Sequence, residues 1–185
     1  MDIQINEQAI VVTGGPGMGK TSLIERLGQM GYAYMPESGR HIIQAELESG
    51  GDKLPWADRQ GFAREMFNRA VIDYEQARND HAITFFDRGL PDVIGYLTLC
   101  KLPVEDDLWS AARKLRYHPQ VFITPPWEEI YVTDNERKQS FDEAKATYEA
   151  MANVYTLLGY SMIEIPKVPI GERAQFIIKK ISSKS

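Results

Sequence analysis

The chain has 185 residues, 43% of them hydrophobic, which is typical of one globular domain with a substantial core. Its net charge of −5 excludes a global basic surface for nucleic acid, and no apolar run has the length of a membrane-spanning helix. A single Cys100 excludes an internal disulfide, and the N-terminus lacks a signal-peptide pattern, so we expect a cytoplasmic protein.

The first predicted elements are a strand over 10–13, a glycine-rich loop and a helix over 20–30. The loop fits the phosphate-binding pattern G-x-x-x-x-G-K-[ST]. Glycines let the backbone approach phosphate oxygens, and the helix N-terminus adds partial positive charge. Lys20 is expected to reach the β- and γ-phosphates, and the Thr21 hydroxyl to bind Mg²⁺. The candidate nucleotide-binding residues are Gly14, Gly15, Pro16, Gly17, Met18, Gly19, Lys20, Thr21 and Ser22.

A second strand over 32–35 ends at Pro36, and a helix follows to about residue 48. Glu37 and Arg40 lie one helical turn apart there, at a strand end that should line the cleft. A carboxylate in this place can take a proton from an attacking hydroxyl, and a guanidinium can hold an anionic group. We predict that both bind substrate, the alternative being a solvated helix start.

Residues 50–80 are a predicted helical cap over the substrate, with its helix beginning near Pro55. A third strand over 82–86 then ends in Asp87, which we predict to hold Mg²⁺ or its water, the alternative being a turn. Arg88 either binds a phosphate group or pairs with a surface carboxylate, and we favour a substrate contact.

A fourth strand over 121–124 precedes a polar loop at 125–139, which is a predicted lid. Arg137 is its candidate contact to the transferring phosphate, the alternative being a solvated run of charges. Trp127 either stacks on a ligand ring or anchors the lid. The other predicted elements are helices over 92–100, 105–116, 140–158 and 172–181, and a fifth strand over 162–165. Strands alternating with helices indicate a parallel sheet covered on both faces.

With these strand ends in view, the chain resembles P-loop kinases of the nucleoside and nucleotide type. It is most similar to the small AAA-like ATPase/kinase family that includes the nicotinamide riboside kinase domain. The likeness rests on residues 14–21, 36–40, 86–89 and 136–144. It implies a P-loop NTPase three-layer α/β sandwich with sheet order 2-3-1-4-5, Mg²⁺-ATP as donor and a lid arginine. It also implies that Glu37 or Asp87 contacts the acceptor hydroxyl.

The leading hypothesis is a single domain, residues 1–185, that transfers the γ-phosphoryl group of ATP to a small molecule, either nucleoside-like or another metabolite. Its catalytic candidates are Lys20, Glu37, Asp87 and Arg137. The alternative is an ATPase or nucleotide-dependent switch that acts on a protein partner. The cap and lid favour the kinase, because they suit the enclosure of a small molecule.

Overall fold

The computed structural model describes residues 3–131 and 140–182. Its strands are β1 (Gln4–Ile5), β2 (Ala9–Gly14), β3 (Ala33–Met35), β4 (Thr84–Asp87), β5 (Leu115–Arg116), β6 (Gln120–Thr124) and β7 (Ser161–Glu164). Its α-helices are α1 (Lys20–Gln29), α2 (Ser38–Ser49), α3 (Arg59–Asp80), α4 (Leu90–Leu99), α5 (Asp106–Lys114), α6 (Phe141–Leu157) and α7 (Ile170–Ser182). A short 3-10 turn, Glu128–Ile130, follows β6. No helix within these ranges is long and apolar enough to span a membrane.

Five strands form one parallel sheet in the order β3-β4-β2-β6-β7. Counted along the chain without the two shortest strands, this is the predicted order 2-3-1-4-5, which is therefore confirmed. The remaining pair, β1 and β5, forms a separate two-stranded parallel sheet that the sequence did not predict. The predicted helix over 105–116 ends at Lys114 because Leu115 and Arg116 pair with β1.

The central strand β2 is buried at every position and divides the core into two layers. Ala9 and Val11 belong to a cluster with side chains of α3 and α6, whereas Ile10 and Val12 face α1 and α7. Successive side chains of a strand point to opposite faces of the sheet, so a continuous apolar run must be covered on both sides. The predicted three-layer sandwich follows from this alternation.

Side-chain caps set where two important helices begin. Asp58 accepts a hydrogen bond from the Gly61 amide at 2.9 Å, so α3 begins after Asp58 and the predicted start near Pro55 is wrong. Ser140 and Glu143 form the predicted capping box at the start of α6. These two helices flank the cleft at the carboxyl ends of β3 and β4.

Candidate functional site

The glycine-rich loop between β2 and α1 brings its lysine and threonine to the edge of the sheet. Gly14, Gly17 and Gly19 have φ angles of 130°, 70° and 73°, a backbone region that side-chain-bearing residues rarely adopt. The Lys20 ammonium donates to the Gly15 carbonyl oxygen at 2.6 Å, and Lys20 is only 6% exposed. The Lys20 ammonium therefore lies within the concave side of the loop, where phosphate oxygens are expected to bind.

The loop also packs so tightly that one glycine has no room for a side chain. A Cβ atom at Gly15 would lie 2.3 Å from the carbonyl oxygen of Ala144 in α6. We expect Gly15→Ala to lower the free energy of unfolding by about 1–3 kcal/mol, because backbone must move apart to admit the methyl group. A urea titration measures the change.

Gly171→Ala in α7 is the matched control, since a Cβ there meets no described atom within 4 Å. We expect this variant to be neutral or more stable by up to about 1 kcal/mol, because alanine favours helix. Equal stability of Gly15→Ala and the unmodified chain would contradict the close approach of the loop to α6.

A cavity of about 620 Å³ opens over the loop. We call it the phosphate cavity. Its wall is formed by the phosphate loop, by α1 as far as Gln29, and by Glu37 and Arg40 of the segment after β3. Ile130, Tyr131, Ile170 and Arg173 complete it. Lys20 and Thr21 thus face a space large enough for a nucleotide.

A second cavity of about 650 Å³ lies on the other side of Glu37. We call it the apolar cavity, because hydrophobic residues and prolines outnumber polar and charged residues in its wall. Several of these hydrophobic residues come from α2, α3, α4 and α6. Asp87, Arg88 and Asp92 line the part nearest the sheet. Pro16 and Glu37 belong to both cavities, so the two spaces meet at these residues.

Asp87 ends β4 beside the phosphate loop, as its position in the sequence predicts. Its Oδ2 accepts a hydrogen bond from the Thr21 hydroxyl at 3.2 Å. Its Oδ1 is buried and has no hydrogen-bond partner among the described residues. Burial, and then the neighbouring Glu37 carboxylate, raise the pKa of Asp87 to about 6.

These two residues fit a magnesium ion. A threonine hydroxyl and a carboxylate with an unpaired oxygen are oxygen ligands of the kind that Mg²⁺ prefers. Within residues 3–131 and 140–182, no three His, Cys, Asp or Glu side chains group into a metal site. An ion held by Thr21 and Asp87 would therefore take the rest of its ligands from water and phosphate oxygens.

Arg88 lies between two buried carboxylates and not at the surface. Its Nε donates to Glu37 Oε1 at 3.1 Å, and its Nη1 donates to Asp92 Oδ1 at 3.2 Å and to the Gly14 carbonyl at 3.1 Å. Burial disfavours its charge, but the Glu37, Asp92 and Asp87 carboxylates together raise its pKa. The guanidinium thus remains charged and fixes Glu37 at the boundary of the two cavities.

Asp92 is a buried organising residue that sequence reasoning missed. Besides Arg88, its carboxylate accepts hydrogen bonds from the Thr13 hydroxyl at 2.5 Å, the Tyr155 hydroxyl at 2.6 Å and the Gly89 amide at 2.8 Å. Burial, and then Asp92, raise the pKa of Tyr155 well above its usual range, so its hydroxyl remains a donor. An acidic residue in the first turn of a helix after Gly-Leu-Pro was the available sequence signal.

The structure places Arg40 on the wall of the phosphate cavity, and its contact with a substrate stays a prediction. Its Nε lies 3.7 Å from Glu37 Oε2, so Glu37 contacts arginines on both sides. Arg137 and the rest of the lid at 132–139 lie outside the described residues.

Arg173 of α7 is a second residue that sequence reasoning missed. It lines the phosphate cavity and contacts the phosphate loop. It is 7% exposed, and its Nη1 donates to the Met18 carbonyl at 3.4 Å. Burial lowers its pKa. The guanidinium lies 5.6 Å from the ring centre of Trp127, whose backbone amide contacts the Met18 sulfur at 3.3 Å. Trp127 therefore holds the segment after β6 against the phosphate loop, in agreement with the anchoring alternative.

Comparison with known proteins agrees with this geometry. The family described as AAA domain matches residues 9–173. The structure of NadR protein in complex with NR has a TM-score of 0.69 and 17% identity, covering 96% of this chain and 52% of that chain. This chain thus spans about half the length of that protein.

Smaller kinases share the same architecture. Shikimate kinase from Acinetobacter baumannii in complex with shikimate has a TM-score of 0.55 and 15% identity, covering 96% of this chain and 94% of that chain. Shikimate kinase from Aquifex aeolicus vf5 has a TM-score of 0.55 and 12% identity, with 95% and 96% covered. No curated protein matches the chain. At these identities the likeness shows a shared fold, and it confirms the resemblance to P-loop kinases.

Proposed function

This chain belongs to the AAA domain family, and we propose that it is a kinase that transfers the γ-phosphoryl group of ATP to a hydroxyl of a small molecule. The observation that carries the proposal is the meeting of two cavities at Pro16 and Glu37. One cavity contains the phosphate loop and the other opens beside Asp87. A phosphoryl donor and an acceptor can therefore lie side by side, which phosphoryl transfer requires.

The reaction uses positioning and charge more than covalent chemistry by the protein. The acceptor oxygen attacks the γ-phosphorus, the bond from that phosphorus to the β–γ bridging oxygen breaks, and ADP leaves. The loop amides and Lys20 hold the β- and γ-phosphates and stabilise the charge that develops on them. The proton of the acceptor hydroxyl passes to a carboxylate at the boundary of the cavities.

We assign this proton to Glu37, since it faces both cavities, whereas Asp87 points one oxygen to Thr21. Thr21 and Asp87 are the residues that would hold Mg²⁺, which, when bound, neutralises phosphate charge. Arg88 and Arg40 keep the Glu37 carboxylate in place. Arg137, in the proposed lid, and the helical cap would enclose the reacting groups.

An assay of ATP turnover with and without small alcohols tests the proposal. We expect one class of alcohol to accelerate ADP formation and to appear as a phosphate ester in equal amount. Release of inorganic phosphate that no alcohol alters, together with acceleration by a protein partner, would favour the ATPase switch instead. The apolar cavity supports the kinase, because hydrolysis does not need a second large space beside the γ-phosphate.

Isosteric amides distinguish the roles of the two carboxylates. We expect Glu37→Gln to lower the turnover number by about 100- to 10,000-fold, because the acceptor proton loses its base. Asp87→Asn should also slow the reaction, but it should raise the Mg²⁺ concentration for half-maximal rate by about 10-fold or more. Steady-state rates over a Mg²⁺ titration measure both effects. A changed Mg²⁺ requirement in Glu37→Gln alone would reverse the assignment.

A further inference from the structure

Part of the wall of the apolar cavity is formed by hydrophobic side chains of four helices. Ile43, Phe62, Met66, Val93 and Met151 line it, and they come from α2, α3, α4 and α6. The rings of Phe62 and Tyr96 meet edge to face, with centres 5.7 Å apart and planes at 75°. A wall of aromatic and thioether side chains favours a ligand whose own surface is apolar.

Several charged groups of the same wall are already paired. Arg88 is bound by Glu37 and Asp92, and the Asp73 carboxylate lies 2.8 Å from the Arg69 guanidinium. A ligand with many hydroxyl groups would bury several of them against these paired groups without partners of their own, which is unfavourable. The paired part of the wall therefore offers few free partners to a sugar-like polyol.

Three buried polar atoms of the wall have no hydrogen bond within the described residues, and one of them, Asp73 Oδ1, is ion-paired with Arg69, which leaves two. Asp87 Oδ1 and the buried Tyr96 hydroxyl have no hydrogen-bond partner within the described part of the chain, although the Cys100 thiol is close enough to interact with Tyr96. Asp87 lies at the phosphate end, and Tyr96 lies on α4 among the apolar side chains. A ligand with a polar head and at most one further polar group would match this distribution.

A large aromatic side chain stands at the mouth of the cavity with its surface uncovered. Trp56 lines the cavity and is 59% exposed. Tryptophan rings offer a large flat apolar surface on which a ligand ring can stack. Trp56 lies opposite no charged partner that would otherwise explain its position, as far as the described residues show.

From these contacts we infer that the phosphate acceptor is an alcohol with a flat apolar ring and few other polar groups. The ring packs between Trp56 and the Phe62–Tyr96 pair, and the hydroxyl points toward Glu37 and Asp87. The inference rests on the proposed kinase function for the identity of this ligand as the acceptor. The preference of the apolar cavity for a flat apolar ring is a property of binding alone, so a binding measurement tests it separately from phosphoryl transfer.

Isothermal titration calorimetry of the full chain, with ADP and Mg²⁺ present, compares 2-naphthylmethanol with D-ribose. We expect the naphthyl alcohol to bind at least about 100-fold more tightly, because its rings remove apolar surface from water. Equal or tighter binding of ribose would overturn the inference.

Trp56→Ala tests the place of the ring, with Trp109→Ala as its matched control. Trp109 stacks with Arg113 on α5 and contributes to neither described cavity. We expect Trp56→Ala to weaken 2-naphthylmethanol binding by about 10-fold, and Trp109→Ala to leave it unchanged. Thermal unfolding verifies that each variant is folded. Unchanged naphthyl affinity in Trp56→Ala would overturn the proposed stacking.

Transfer of label from [γ-³²P]ATP separates this inference from the kinase proposal. Labelled ribose phosphate without labelled naphthylmethyl phosphate would overturn the inference and support the kinase. Tight binding of the naphthyl alcohol, with label released only as inorganic phosphate in the presence of either alcohol, would support the binding preference and count against the kinase.

Discussion

We expect Lys20→Met to lower the rate of phosphoryl transfer by about 1,000-fold while the domain remains folded. The Lys20 ammonium is the cation enclosed by the phosphate loop, 2.6 Å from the Gly15 carbonyl. Methionine retains an unbranched apolar side chain in this buried position but cannot neutralise phosphate charge. Measurement of ester formation at saturating ATP and acceptor tests the effect on the chemical step.

Lys145→Met is the control for this variant, because Lys145 lies on the exposed face of α6 beside Asp142. We expect its rate to stay within about twofold of the unmodified chain, since exposed pairs contribute little. Circular dichroism and thermal unfolding should match for both variants. A Lys20→Met rate within tenfold of the unmodified rate would contradict the mechanism.

The largest effect on stability is expected from Asp92→Ala, with a loss of about 3–5 kcal/mol in the free energy of unfolding. Removal of this carboxylate leaves the buried Arg88 charge less compensated. It also removes the acceptor for the Thr13 and Tyr155 hydroxyls and for the Gly89 amide. Buried donors without an acceptor are costly, so several penalties combine at one site. Urea unfolding followed by tyrosine and tryptophan fluorescence measures the loss.

Asp107→Ala is the matched control, because Asp107 also pairs with an arginine but does so at the surface of α5. We expect this variant to lose at most about 1 kcal/mol. The stability loss in Asp92→Asn should lie between those of Asp92→Ala and Asp107→Ala. An amide oxygen still accepts hydrogen bonds, but the negative charge that compensates Arg88 is gone. Similar losses for Asp92→Ala and Asp107→Ala would show that the buried network contributes no more than a surface pair.

Local sequence patterns were enough to predict most helices and strands, the phosphate loop and Asp87. The apolar β2 run and the loop from Gly14 to Thr21 are continuous stretches whose chemistry is evident without a structure. Asp87 was predictable because it directly ends a strand. The order of the strands came from family resemblance, since apolar runs alone do not specify which strands become neighbours.

The residues that were missed depend on contacts between distant parts of the chain. Asp92 and Thr13 are 79 positions apart, and Arg173 and Met18 are 155 positions apart. A single sequence contains no local sign of such pairs. The strands β1 and β5 were missed because each has two residues, too few to show an alternating pattern.

The common boundary of the two cavities has a thermodynamic consequence. Pro16 and Glu37 contact whatever occupies either space, so a shift of these residues by one ligand changes the surface offered to the other. Linkage makes such an effect reciprocal. In the proposed reaction, any factor by which bound ATP raises the affinity for the acceptor is also the factor by which bound acceptor raises the affinity for ATP. If the proposed kinase function holds, the shared wall gives its two substrates a route to cooperativity within one domain, with no need for a second subunit.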